Sequence, residues 1–318
     1  MWVERRNFDF FNVTSWAKEA RCLRQFLGMD KEWVDVETPE LADLSSEGSF
    51  NKFKILDGKK VLFVGDSLTR QRFDSAWISP SHFRMENISA KHYNMLKAHC
   101  PPLDLNWTLV GKFSMEDRNA ADFRVDFCRK HYFGIGLNRL LEMADKMFDA
   151  IVLNIGIWYN IEQQHDANYA AQRRNYTQEA NYWEPLFNNH YIDDLKQFDA
   201  FLKSRPVLTK KLLWVQSTPQ HFHSGTYVRN SGMTVCAAFD RQALLLSNWR
   251  NALSDNIMRQ NGVNIIPIFN PLASLYFSHP EPNDNEARDC THFCNPGSAI
   301  YISVLLIYDA LKSIFAAS

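Results

Sequence analysis

The stretch KKVLFVGDSLTRQRFDS, from Lys59 to Ser75, decides the fold of this chain. Two lysines precede four consecutive apolar residues, and the run stops at Gly65-Asp66-Ser67. A short apolar run that ends in a glycine turn predicts a buried strand. Apolar residues then recur at a helix-compatible spacing from Leu68 onward, so we expect a helix to open one residue after Ser67.

Strand, glycine turn and helix start together place Ser67 at the C-terminal edge of a sheet. The first N–H groups of a helix have no partner inside it, and with the helix dipole they favour negative charge nearby. This setting suits a serine that attacks a carbonyl group. A turn with an ordinary Asp/Ser helix cap is the alternative, because such turns recur throughout α/β folds.

A second segment favours a catalytic role for Ser67 over a simple helix cap. Asp289-Cys290-Thr291-His292 places a carboxylate three residues before an imidazole, so one short turn can orient the ring and hold its tautomer. We therefore predict a catalytic set in which Ser67 is the nucleophile, His292 the general base and acid, and Asp289 the residue that orients His292.

Further candidate site residues follow later apolar runs. Asn154 ends the run Ala150-Ile-Val-Leu, as Ser67 follows the first one, and is predicted to donate to the oxyanion beside the Ser67 N–H; a turn cap is the alternative. Weaker candidates for substrate binding have structural alternatives, namely core packing for the two aromatics, a structural ring for the loop histidine and solvation for the arginine. They are Arg70, Gly156, Trp158, Tyr159 and His221.

Composition excludes several classes of function. The 318 residues are 46% hydrophobic and 22% charged, which is typical of a globular chain. The net charge of -1 gives no electrostatic footprint for nucleic acid. No apolar run reaches the roughly 18 to 20 residues that span a bilayer, and no signal peptide is visible at the N-terminus.

The chain has six cysteines, and two of them, Cys290 and Cys294, bracket His292. Disulfides there would fix the geometry around the imidazole. Free core thiols are one alternative, and composition favours neither them nor disulfides. A zinc site is another, although the ligands of Cys-x-His-x-Cys lie closer together than the usual finger spacing. Four Asn-x-Ser/Thr sequons are consistent with a secreted glycoprotein, and they begin at Asn12, Asn87, Asn106 and Asn175.

Apolar runs that alternate with helical patterns predict an α/β fold, with a mostly parallel sheet covered by helices on both faces. Further strands are expected within Phe123 to Phe133, at Lys211 to Ser217 and at Asn264 to Phe269. Helices are expected at Leu140 to Phe148, Ile192 to Phe201, Gln242 to Ile257 and Ala299 to Tyr308, with Pro296 opening the last one. Residues 160 to 190 are expected to form a long loop over the site. Residues 1 to 58 are expected to wrap irregularly over a catalytic domain at 59 to 318.

Four sequence blocks resemble a known family. GDSLTRQ at 65 to 71 resembles the first block of SGNH (GDSL-type) hydrolases. DCTHFCNPG at 289 to 297 is similar to the Asp-Cys-x-His-x-Cys-x-Pro-Gly block of the plant trichome birefringence-like polysaccharide O-acetyltransferases, within the PC-esterase group. The segment from Asp149 to Tyr159 and the segment from Ser217 to Phe222 resemble that family's two middle blocks, in the same order.

This resemblance implies a three-layer SGNH-like (flavodoxin-like) fold and transfer of acetyl groups to carbohydrate hydroxyls. A carbohydrate acetyl esterase and a catalytically silent glycan-binding protein are the alternatives. No tightly bound cofactor or metal is implied, and the acetyl donor, with acetyl-CoA as one option, is a co-substrate. The resemblance also implies the disulfides Cys236–Cys290, Cys22–Cys294 and Cys100–Cys128. It implies the Golgi lumen or the cell exterior, through an N-terminal anchor that this chain lacks; a cytoplasmic relative is the alternative.

Overall fold

A computed structural model describes residues 54–76, 108–111, 123–159, 183–223, 225, 236–280, 289–294 and 298–316. Within these ranges, six strands form one sheet in the order β2-β3-β1-β4-β5-β6. The strands are β1 (Lys60–Gly65), β2 (Thr108–Gly111), β3 (Phe123–Arg129), β4 (Ala150–Asn154), β5 (Leu212–Val215) and β6 (Asn264–Ile266).

All neighbouring strands are parallel except the edge strand β2, which runs antiparallel to β3. The five parallel strands have the doubly wound order of flavodoxin-like sheets, with the reversal of winding between β1 and β4. In this register Gly65 lies opposite Asn154. Sheets of this kind bind ligands at such a reversal, beyond the carboxyl ends of the strands.

Eight helices in the described residues surround the sheet, together with 3-10 turns at Lys54–Leu56 and Tyr276–Ser278. The helices are α1 (Ser67–Ala76), α2 (Ile135–Met147), α3 (Trp183–Lys203), α4 (Pro206–Lys211), α5 (Arg241–Ser247), α6 (Trp249–Gln260), α7 (Phe269–Leu272) and α8 (Ser298–Ala316).

Each face of the sheet buries its own apolar core, because successive side chains of a strand point to opposite faces. In β1, Val61 and Phe63 pack with α1 and α8, whereas Leu62 and Val64 pack on the other face. That second core takes residues from α2, α3, α4 and α6. The predicted three-layer α/β architecture, with helices on both faces, is therefore confirmed.

Most predicted elements are present with shifted ends. The predicted helix Gln242 to Ile257 is two helices, α5 and α6, which meet at Asn248. The predicted strand Asn264 to Phe269 ends at Ile266, directly before Pro267, at the edge of the sheet, because proline cannot donate to a strand ladder. The predicted long loop is shorter than expected, because α3 already begins at Trp183.

Other expectations fall partly outside the described ranges. These include the N-terminal wrap up to residue 53, the loop at 160–182 and the helix start at Pro296. Leu56, in the 3-10 turn before β1, is fully buried in the core beside α8. The packed fold thus includes residues a few positions before 59. No helix within the described ranges is both long and apolar enough to cross a bilayer.

Candidate active site

The turn between β1 and α1 depends on Gly65. A Cβ atom on this residue would lie 2.1 Å from Thr69 Oγ1 and 2.3 Å from the carbonyl oxygen of Asn154. Both distances are shorter than any normal contact, so no other residue fits without displacing β4 or the first turn of α1. Glycine therefore brings the start of α1 against the sheet edge.

Asp66 caps α1 from the buried side of this turn. Its Oδ1 accepts hydrogen bonds from Leu68 N at 2.9 Å and Thr69 N at 3.4 Å. Burial raises the pKa of Asp66, while the positive charge of Arg72 and these two hydrogen bonds oppose the rise. With Asp66 as the cap, Ser67 takes the first helical position and its side chain lies in a part-buried setting.

The structure brings Ser67, His292 and Asp289 into one hydrogen-bonded chain. Ser67 Oγ lies 2.6 Å from His292 Nε2, and His292 Nδ1 lies 2.6 Å from Asp289 Oδ2. Both distances are within hydrogen-bonding range, and the first joins residues 225 positions apart in sequence. This geometry suits a hydroxyl whose proton passes to a carboxylate-oriented imidazole.

Asp289 also shapes the loop that carries the imidazole. Its Oδ1 accepts from the backbone N–H groups of Thr291 and His292, each at 3.0 Å. Partial burial disfavours the carboxylate charge, but hydrogen bonds from the His292 side chain and from these backbone groups outweigh it and lower the pKa of Asp289 to about 2. The carboxylate is thus ionised at neutral pH and fixes a proton on His292 Nδ1, which leaves Nε2 to face Ser67.

Gln71 connects the serine helix directly to the histidine loop. Its Nε2 donates to the carbonyl oxygen of Phe293 at 2.8 Å, and its Oε1 accepts from Phe293 N at 3.4 Å. Residues four apart on a helix lie on the same face. Ser67 and Gln71 therefore contact the same loop, one through the His292 ring and the other through the next residue's backbone.

Three further connections hold the loop from the other side. A disulfide joins Cys290 to Cys236, with the two Cα atoms 5.4 Å apart. The backbone N–H of His221 donates to the Cys290 carbonyl at 3.0 Å, and Cys294 N donates to Ser278 O at 2.8 Å. The loop has no regular secondary structure, so these cross-links determine where His292 lies.

Asn154 lies at the end of β4, beside Gly65, and is buried. Its Nδ2 donates to the carbonyl oxygen of Val215 on β5 at 2.8 Å. A carboxamide nitrogen carries two hydrogens, so this bond fixes the orientation of the amide and uses one of them. The role of Asn154 as an oxyanion donor stays a prediction.

Two of the weaker substrate-binding candidates are corrected, because they belong to the core. Tyr159 is 1% exposed, and its hydroxyl donates to Asp194 Oδ2 at 2.6 Å. Gly156 does permit a close approach, but the approaching group is Ser217 Oγ, which would lie 2.7 Å from a Cβ atom there. Neither residue offers a surface to a sugar.

Trp158 and Arg70 are both partly exposed. The indole of Trp158 stacks on the His131 ring with the centroids 4.3 Å apart and the planes 9° apart. Arg70 lies on α1 between Ser67 and Gln71. For these two residues a role in substrate binding stays a prediction.

His221 is a structural residue and not a second ring beside the substrate. It is fully buried, with Nδ1 2.6 Å from His279 Nε2 and Nε2 3.0 Å from the carbonyl oxygen of Ala273. Burial lowers the pKa of His221 to about 4, although the nearby Ala273 carbonyl oxygen, which favours the protonated ring, opposes the fall. The prediction that this ring contacts substrate is therefore wrong.

The predicted disulfide Cys236–Cys290 is confirmed. Cys128 and Cys294 are disulfide-bonded as well, while Cys22 and Cys100 lie outside the described residues. The pairings Cys22–Cys294 and Cys100–Cys128 stay predictions. Because Cys290 and Cys294 are oxidised, their sulfurs are not the thiolates that zinc would need.

Sequence reasoning missed two residues that hold the site together, Gln71 and His279. Gln71 had a readable signal, because it lies one helical turn after Ser67. His279 had none, since it lies 13 residues before His292 in an irregular segment and reaches it through the His292 carbonyl oxygen. Within the described ranges, no group of three His, Cys, Asp or Glu side chains is suited to holding a metal ion.

The fold and the site together define a three-layer α/β protein with a Ser-His-Asp hydrogen-bonded chain at the carboxyl edge of its parallel sheet. No protein-family model matches the chain, and no curated protein does either. Several solved structures are similar to it, at low identity and low TM-score.

One similar structure is LAE5, an alpha/beta hydrolase enzyme from the metagenome of Lake Arreo, with 13% identity, 83% of this chain and 98% of that chain covered, and a TM-score of 0.39. Another is Axe2, an acetylxylan esterase from Geobacillus stearothermophilus, with 13% identity, coverage of 82% and 96%, and a TM-score of 0.35. A putative GDSL-like lipase from Parabacteroides merdae has 10% identity, coverage of 81% and 97%, and a TM-score of 0.36. At these scores the likeness decides no question of activity, which depends on the site itself.

Proposed function

We propose that this protein is an acyl-transfer enzyme that moves an acetyl group through Ser67 to a hydroxyl of a polysaccharide or other glycan. The observation that carries the proposal is the chain of two 2.6 Å contacts from Ser67 Oγ through the His292 ring to Asp289 Oδ2. Serine is a weak nucleophile by itself, and a hydrogen-bonded imidazole held by a carboxylate is the arrangement that activates it.

In the first half-reaction, Ser67 Oγ attacks the carbonyl carbon of the acetyl donor and its proton passes to His292 Nε2. The tetrahedral intermediate collapses as His292 returns that proton to the leaving oxygen or sulfur of the donor, which leaves an acetyl group on Ser67. Asp289 stabilises the imidazolium and keeps the ring oriented. In the second half-reaction, His292 takes the proton of the acceptor hydroxyl and this oxygen attacks the acetyl-serine. The bond between the acetyl carbon and Ser67 Oγ then breaks, and His292 returns the proton to Ser67 Oγ.

The start of α1 supplies the electrostatic part of this proposal. Asp66 Oδ1 accepts from the N–H groups of Leu68 and Thr69, and Arg70 N donates to the Asp66 carbonyl oxygen at 3.0 Å. The Ser67 N–H takes part in none of these bonds, and it lies at the positive end of the helix dipole. In the proposal it stabilises the oxyanion, with Asn154 Nδ2 as a second donor.

The acceptor decides between transfer and hydrolysis, because both share the acetyl-serine. Transfer is favoured here by the similarity of DCTHFCNPG, which contains Asp289 and His292, to the trichome birefringence-like polysaccharide O-acetyltransferases. A sugar hydroxyl held against the acyl group reaches effective molarities of about 10⁵ M or more, well above that of water. Within the proposal, the partly exposed Trp158 is one surface against which a sugar ring packs.

A carbohydrate acetyl esterase is the second candidate, and one observation favours it. The side chains of His292 and Asp289 are 33% and 43% exposed, so water can approach the imidazole that would activate it. A water molecule in the place of the acceptor hydroxyl would complete a hydrolysis with the same three residues.

The experiment that separates the two candidates offers the protein an acetyl donor together with a panel of deacetylated oligosaccharides. Acetylated sugar and free acetate are both measured by mass spectrometry, with Ser67→Ala as the control for uncatalysed transfer. We expect acetylated sugar to dominate with at least one acceptor. Release of acetate that is independent of every acceptor, together with deacetylation of acetylated glycans, would establish the esterase instead.

A further inference from the structure

His279 occupies a position that the proposed chemistry does not use directly. It is fully buried, and its Nδ1 lies 2.6 Å from the carbonyl oxygen of His292. A carbonyl oxygen only accepts hydrogen bonds, so His279 Nδ1 must carry the proton. In a neutral imidazole Nε2 is then an acceptor, and it faces His221 Nδ1 at 2.6 Å.

The contact between the two histidines fixes the tautomer of His221 in turn. If neither facing nitrogen carried a proton, two lone pairs would oppose each other at 2.6 Å in the protein interior. The proton therefore lies on His221 Nδ1 and is donated to His279. Burial lowers the pKa of His221 to about 4, so at neutral pH the ring is uncharged and has a single proton to place.

Of the three contacts that the two rings make through their nitrogens, the longest is the one that we leave without an N–H donor. His221 Nε2 lies 3.0 Å from Ala273 O, against 2.6 Å for each of the other two. With one proton on each ring, the pair supplies two N–H groups for these three contacts, and we assign them to the two short ones. The result is a directed relay, in which His221 donates to His279 and His279 donates to the backbone of His292.

The surroundings hold both rings in place. The His221 ring stacks on Phe239 with the centroids 4.7 Å apart, and the His279 ring stacks on Phe293 at 4.4 Å. Phe293 is also the residue whose backbone Gln71 holds from α1.

We propose that His279 is a positioning residue, held in its Nδ1–H tautomer by His221. Its hydrogen bond to the His292 carbonyl oxygen sets the position and orientation of the His292 ring relative to Ser67 Oγ. This inference rests on the proposed role of His292 as general base. Gln71 and the disulfide hold the loop as a whole. His279 instead bonds directly to the backbone of His292, the residue whose ring contacts Ser67 Oγ. A misplacement of about 1 Å between reacting groups costs on the order of 10²-fold in rate.

The test compares two substitutions at one position. His279→Phe keeps a ring of similar size without a donor, whereas His279→Asn places an amide donor near the position of Nδ1. We expect His279→Phe to lower kcat for p-nitrophenyl acetate on the order of 10²-fold with KM changed less than about twofold, and His279→Asn to recover at least half of that loss on a logarithmic scale. His223→Asn, at an exposed histidine on the same segment as His221, is the control and is expected to keep full activity. Equal losses in the two His279 variants, or no loss in either, would overturn the proposal.

A second measurement does not depend on activity or on the stability of a variant. Side-chain nitrogen NMR of the folded Ser67→Ala protein reports which nitrogen of each of its 10 histidines carries a proton. We expect Nδ1–H on both His221 and His279 at neutral pH. A proton on His279 Nε2 would overturn the relay. If the wild-type protein turns over no ester while both rings show Nδ1–H, the proposed function fails and the relay remains.

Discussion

The two ends of the proposed catalytic set are held in place in different ways. Ser67 opens the helix α1 just after the strand β1, and its position follows from Gly65, the Asp66 cap and the register of β1. His292 lies in an irregular segment that long-range contacts hold, namely those of Gln71, His279 and Cys236. The serine end is therefore encoded locally, while the histidine end is assembled by residues far away in sequence.

This difference predicts how each end fails. Damage near Ser67 disturbs regular secondary structure and the sheet, so stability and activity are expected to fall together. Damage to a cross-link of the 289–294 loop leaves the sheet intact, so activity is expected to fall further than global stability explains. The predictions below test that contrast, and they begin with the largest effect.

Removing either reacting side chain is expected to have the largest effect. Ser67→Ala and His292→Ala should each lower kcat for p-nitrophenyl acetate by at least about 10³-fold, because the nucleophile and its base act as one unit. The double variant should be hardly worse than either single one, and steady-state kinetics measures all three. His223→Ala, at an exposed position, is the control. Losses that simply add would contradict the assignment of these residues to one unit.

Loss of the disulfide tests the histidine end. A variant with both Cys236→Ala and Cys290→Ala is expected to lose about 2 to 5 kcal/mol of unfolding free energy in urea, because the crosslink no longer restricts the unfolded chain. The folded fraction should also lose activity, since Cys290 lies two residues before His292. An unchanged kcat in the folded fraction would show that the remaining contacts suffice to place His292.

The pH dependence of stability tests the buried histidine that supports the loop. Burial lowers the folded-state pKa of His221 from 6.5 to about 4, so between these values the unfolded chain binds the proton and the folded chain does not. Unfolding free energy should therefore fall as pH drops from about 6.5 towards 4, by up to about 3 kcal/mol from this residue. His221→Gln should flatten the slope, and His223→Gln should not. Equal slopes in the two variants would contradict the buried, neutral state of His221.

The glycine turn tests the serine end. Gly65→Ala is expected to cost about 1 to 3 kcal/mol, because the new methyl group overlaps Thr69 Oγ1 and the Asn154 carbonyl oxygen. Gly136→Ala is the matched control; it lies exposed in α2, where a Cβ atom meets only Lys130 Nζ at 3.9 Å, and alanine there should gain up to about 1 kcal/mol. Chemical denaturation measures both. A Gly65→Ala protein as stable as wild type would show that the turn tolerates a side chain.

The contrast between the two ends also explains what could be predicted from the sequence. The apolar run before Gly65 and the helical spacing after Ser67 are local patterns, so β1, α1 and the location of the serine were predicted correctly. The Asp289-x-x-His292 spacing is local too, and the turn it predicts is present, with Asp289 bonded to both the ring and the backbone of His292.

The errors have a common physical cause. Tyr159 and His221 were assigned to substrate because they follow strand ends, where sites of this fold class lie. Both side chains are buried and do not reach a substrate. The Tyr159 hydroxyl donates to Asp194, and His221 Nδ1 contacts His279. Those partners lie 35 and 58 residues away, and sequence periodicity carries no information about contacts at such separations. For the same reason, the contact between His279 and the His292 carbonyl oxygen could not be predicted from the sequence.

The measurement that tests the central claim most directly is mass spectrometry of the protein after rapid mixing with an activated acetyl donor and acid quenching. The proposed mechanism predicts one added acetyl group, located by peptide fragmentation on Ser67, which disappears when acceptor or water is allowed to react before the quench. Ser67→Ala should carry no such group. Turnover by a protein whose Ser67 never becomes acetylated, or an acetyl intermediate on another residue, would contradict the assignment of Ser67 as the nucleophile.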